Sequence, residues 1–64
     1  MIKKRQEFTF FLDESEALAL AQFVKRVMWA EIRQNAVDDA EAYEIRDALG
    51  RIALTLAEGG YEPR

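Results

Sequence analysis

Apolar positions along the chain change their period at residue 13. Phe8, Phe10 and Leu12 fall on every second residue, with Thr9 and Phe11 between them. A period of two belongs to a strand with one buried face, and aromatic residues favour that state. The spacing predicts a strand over about 6–12. Phe11 falls on the side such a strand leaves wet, so the pattern asks for a second cover there. From Asp13 onward the period lengthens to that of a helix. Ala17, Leu20, Ala21, Val24, Val27 and Met28 share one face of a helix predicted over about 14–34. Ala42, Ile45, Leu49, Ile52, Ala53 and Leu56 form the matching stripe of a second helix, over about 39–58.

Both helices start with the same device. Asp13 can accept from free N–H groups of the first turn, and Glu16, three residues on, can reach back to it. Asp38 and Glu41 repeat the arrangement, with Leu12/Ala17 and Val37/Ala42 in the flanking apolar positions. The offset that carries Asp13 onto Asp38 also carries Leu20 onto Ile45 and Arg26 onto Arg51, a grammar that any two capped amphipathic helices share. Gly59 and Gly60 end the second helix, and Pro63 forbids its continuation. Between the helices lies only a soft break at Asn35–Asp39, and a link that short predicts an antiparallel hairpin. The expected fold class is therefore mostly α: one N-terminal β-strand followed by an antiparallel two-helix hairpin. It forms a single domain over 1–64 with Leu20, Val24, Ile45, Leu49 and Ile52 central to its core.

Length changes this picture. A chain of 64 residues hides only about 60 % of its unfolded surface on folding. It contains no Cys for a disulfide and neither Cys nor His for a structural zinc, so association is the remaining remedy. A lone strand also needs a partner, since even a two-stranded hairpin is marginal in water. Both arguments predict a homodimer paired through the strand. Composition excludes disorder, at 50 % hydrophobic and 33 % charged residues. No apolar run nears the roughly 18 residues of a membrane span, and the start MIKKRQEF turns polar at once. The expected location is cytoplasmic, which the absence of Cys fits.

Charge and chemistry narrow the function classes. The net charge is −3, whereas domains that grip a phosphate backbone usually carry a basic excess. Lys3, Lys4 and Arg5 form a basic arm, yet nucleic acid is not the favoured partner. The single Ser, at position 15, sits in a first helical turn, and no glycine-rich phosphate loop exists. The chain therefore reads as no enzyme, with no catalytic residue, cofactor or metal site.

What remains is surface. Leu18, Gln22, Lys25 and Trp29 fall opposite the core stripe of the first helix, and Tyr43, Asp47, Gly50 and Leu54 opposite that of the second. Trp and Tyr are common interface anchors, so Trp29, Tyr43, Leu54 and Leu18 are candidate partner-binding residues. Asp38, Asp39, Glu44 and Asp47 are their acidic complement, suited to a basic groove. Acids near a helix start also serve the helix dipole, which accounts for most of them without a partner.

Two resemblances bear on these residues. The order strand, helix, helix resembles the ribbon-helix-helix repressors, which pair strands across a dimer and place them in the DNA major groove. That resemblance implies a dimeric DNA-binding regulator using Lys3, Lys4, Arg5 and Thr9, although Glu7 and Phe11 suit base contacts poorly and the first helix is long. The segments EFTFFLDESEALALAQFVKR, VDDAEAY and LAEGGYEPR resemble a family of small acidic, mostly uncharacterised proteins of proteobacterial phages and mobile elements. That resemblance implies a binding protein, anti-CRISPR-like, that inhibits or modulates a host protein or ribonucleoprotein complex such as a CRISPR–Cas effector. The second reading is the leading expectation and the DNA-binding regulator the alternative.

Overall fold

A computed structural model describes residues 4–62, which form three α-helices: α1 (Glu14–Arg26), α2 (Trp29–Gln34) and α3 (Asp39–Glu58). The caps fix where α1 and α3 begin. At α1 the Asp13 carboxylate accepts from the Glu16 N–H at 2.8 Å, and the Glu16 carboxylate accepts from the Asp13 N–H at 3.0 Å. At α3 Asp38 accepts from the Glu41 N–H at 2.8 Å, but Glu41 reaches past it to the Val37 N–H, at 3.1 Å. The far end of α3 closes at Gly60, whose φ of 96° places it in the left-handed region. There the Tyr61 N–H donates to the Leu56 carbonyl and the Gly60 N–H to the Ala57 carbonyl, the paired closure of a Schellman turn.

Two expectations are corrected here. No strand or sheet is found among the described residues, and 6–12 runs as an irregular lead-in to the Asp13 cap. The alternating pattern is real, but a strand exists only through its neighbour's N–H and C=O groups, and this chain provides no second one. The mixed fold class and the dimer paired through its strands fall with it. So does the element a ribbon-helix-helix protein would place in DNA.

The helix expected over 14–34 is also interrupted. Val27 and Met28 take extended dihedrals, with ψ of 132° and 160°. The Val27 N–H closes α1 on the Phe23 carbonyl, and the Met28 N–H is taken by the Glu31 carboxylate at 3.0 Å. Neither Gly nor Pro is present to force this break. It leaves α1 and α2 as separate rods that both lie along α3, at the cost of exposing Met28.

Ala17 and Ala21 of α1 are buried where that helix packs on α3; on α3 Ala42 is fully buried, and on α2 Ile32 is buried. Leu20, Val24, Ile45, Leu49 and Ile52, expected at the centre, are only half-buried. The reason is geometric: α1 and α2 each pack on α3 alone, and with only these three helices a large side chain is covered on one flank and open on the other. Among the described residues no large side chain is fully buried. The outward flanks of α3 are therefore where function must be sought.

Candidate functional site

Trp29 opens α2, and the break before it turns its ring toward α3. There it meets Tyr43, with ring centroids 4.7 Å apart and planes inclined at 40°. The Arg46 guanidinium lies 4.9 Å from the Tyr43 ring centre and 5.9 Å from that of Trp29. Tyr43 and Arg46 are three residues apart on α3, so the helix itself places the cation over the ring. The stack remains open to solvent: Trp29 is 39 % and Tyr43 50 % exposed.

From Tyr43 the same flank of α3 continues through Gly50 to Leu54, roughly 16 Å along the helix at its usual rise. Leu54 is exposed and borders a shallow trough with Ala21, Val24 and Lys25 of α1. Gly50 also lines this trough, and a Cβ there would meet nothing within 4 Å. Leu18 is exposed on α1. The structure thus brings Trp29 and Tyr43 together and sets Leu54 farther along the flank.

The acidic residues have local duties. Asp38 caps α3. Asp39 pairs with Arg33 at 2.6 Å, and Arg33 also donates to the Ala36 carbonyl, which ties down the turn between α2 and α3. Asp47 lies 3.8 Å from Arg46, and Glu44 is likewise not free. Of the basic arm, Lys4 and Arg5 are exposed together with Thr9, and Lys3 lies outside the described residues. Arg46 is the member that pattern reading missed. Its signal was the i, i+3 spacing to Tyr43, visible only once Trp29 is known to face the same spot.

Among the described residues no cluster of three His, Cys, Asp or Glu side chains could hold a metal ion. Among the described residues no helix is long and apolar enough to cross a membrane. The arrangement can offer a partner an aromatic platform with a cation, followed by an apolar flank.

This is the surface of a small helical hairpin with an open aromatic flank. The chain belongs to a family of unknown function (DUF7706), which matches it over residues 1–64. No curated protein matches it. No solved structure matches it.

Proposed function

We propose that the chain is a small non-catalytic binding protein that modulates a larger macromolecular complex by protein–protein contact. The observation that supports this reading is the open stack of Trp29, Tyr43 and Arg46 on α3. Trp, Tyr and Arg are the residues that most often anchor interfaces. Here each ring and the guanidinium are held by the others, so a partner has less side-chain freedom to quench on binding. Lys25, Gly50 and Leu54 extend the contact along the same flank, and the acidic balance of the chain suits a basic partner surface.

The finer reading is that this complex belongs to a host cell met by a phage or mobile element, such as a CRISPR–Cas effector, in the cytoplasm. It rests on the resemblance of the three quoted segments and on small acidic character. Affinity capture from a proteobacterial lysate with the intact chain, followed by mass spectrometry, tests both levels. Enrichment of one multi-subunit assembly that survives nuclease treatment is expected. Enrichment that vanishes with nuclease would contradict protein contact, and an assembly unrelated to defence would remove the finer reading.

A further inference from the structure

We infer that a second copy of this chain covers the aromatic N-terminal segment and the groove beside it. The segment leads into α1 carrying Phe8, Phe10 and Phe11, which are 79 %, 61 % and 96 % exposed. Phe8, Phe10 and Leu12 border an open groove whose other wall is the C-terminal half of α3, with Ile52, Leu56 and Tyr61. Phe11 is not among the residues that border this groove and is almost wholly exposed. Three nearly consecutive aromatic side chains in water form a larger apolar patch than an isolated domain usually leaves bare.

Surface area fits a second copy as the occupant. The chain exposes 5847 Å². A folded monomer of 7.4 kDa is expected to expose about 4,200 Å². The excess, about 1,600 Å², lies within the roughly 1,000–2,500 Å² that each chain of a permanent homodimer buries. Internal burial points the same way. Ala17, Ala21, Ala42 and Ile32 make up the buried core, and the sequence has neither Cys nor His to staple it. A chain this short of core needs its cover whenever it is folded, and the one partner always present at its own concentration is itself. A two-fold contact fits, because the segment of one copy can fill the groove of the other and the reverse. The contact is made by side chains toward the C-terminal end of α3, the end away from Tyr43, and so leaves the stack of Trp29, Tyr43 and Arg46 open; Tyr61 borders both this groove and the trough beside Leu54. It does not rest on the binding reading above.

Sedimentation equilibrium of the full chain decides the matter, run from low micromolar to submillimolar concentration. The expected mass is twice the 7.4 kDa of the chain, with a melting temperature that rises with protein concentration. Phe11→Ser should raise the dimer dissociation constant at least about thirtyfold, as loss of a buried aromatic anchor does. Phe11 is almost wholly exposed in its own chain, so a folded but dissociating variant is the outcome that supports the inference. Should it unfold on dilution and recover at high concentration with doubled mass, the support is the same. A chain of single mass with a concentration-independent melting temperature would overturn the inference. So would a dimer that neither Phe11→Ser nor Phe8→Ser weakens.

Discussion

Trp29 and Tyr43 stack at 4.7 Å across the junction of α2 and α3, under the guanidinium of Arg46. The pair holds the short α2 against α3, one helical turn before its buried Ile32. On an unbroken helix Trp29 would lie away from the core stripe and could be removed without effect on the fold. With the break at Val27–Met28 it becomes part of what joins the two elements. Trp29→Ala should then cost about 1–3 kcal/mol, combining an aromatic pair worth about 0.5–1.5 kcal/mol with a half-buried ring and its cation. A double-mutant cycle with Tyr43→Ala under urea denaturation should recover a coupling of about 0.5–1.5 kcal/mol. Strict additivity would mean that the rings touch without cooperating.

Ile32 is the one large aliphatic side chain among the described residues that is buried. Ile32→Ala should cost about 2–4 kcal/mol, within the usual range for truncating a buried aliphatic side chain. Leu49→Ala, at a half-buried position, should cost less. Chemical denaturation of the two variants ranks them, and the reverse order would mean that α2 does not pack as described.

The two glycines of α3 and its end should respond in opposite directions. Gly50 lies inside the helix, and a Cβ there meets nothing within 4 Å. Gly50→Ala should stabilise the fold by about 0.5–1 kcal/mol by removing backbone freedom from the unfolded chain. Gly60 has φ of 96° in the turn that closes α3. Gly60→Ala should destabilise by about 1 kcal/mol or more, because an L side chain there is strained. Thermal melts of the pair check both signs.

The caps Asp13 and Asp38 stand at the starts of antiparallel helices, near opposite ends of the hairpin. Each replacement by Ala should cost about 1 kcal/mol. Because α3 alone spans roughly 30 Å, the two losses should add within about 0.5 kcal/mol. Urea denaturation of the double variant reads this directly; a sum that fails would place the two caps in one cooperative unit.

Local signals were legible in the sequence wherever their physics is local. Asp13 with Glu16, Asp38 with Glu41, and the Gly59–Gly60 stop each act on groups within a few residues; the structure uses the first and last as expected, and at α3 Asp38 caps while Glu41 turns to the Val37 N–H instead. Two features were not legible, because each depends on a distant neighbour. A strand over 6–12 needs a second strand, and the alternation of Phe8, Phe10 and Leu12 cannot provide one. The break at Val27–Met28 has no Gly or Pro to announce it; the faint sign was Glu31, three residues past Met28. The candidate site shows the same division. Trp29 and Tyr43 could be singled out as aromatic and off the core stripe, but their meeting, and the place of Arg46 over them, required knowing where α2 turns. Asp38 and Asp39 looked like a partner's complement and are also occupied by a cap and an ion pair within the chain.

On the proposed function, the outer flank of α3 binds a protein while the fold stands without that partner. Leu54→Glu separates the two, because Leu54 is 63 % exposed and its loss removes little from the hairpin. The variant should keep the helical circular dichroism signal and melting temperature of the parent. Its affinity for the assembly captured by the parent chain, titrated by calorimetry or interferometry, should fall at least about tenfold, since a carboxylate would be desolvated where an apolar group was buried. Unchanged affinity in a variant that folds normally would contradict the claim.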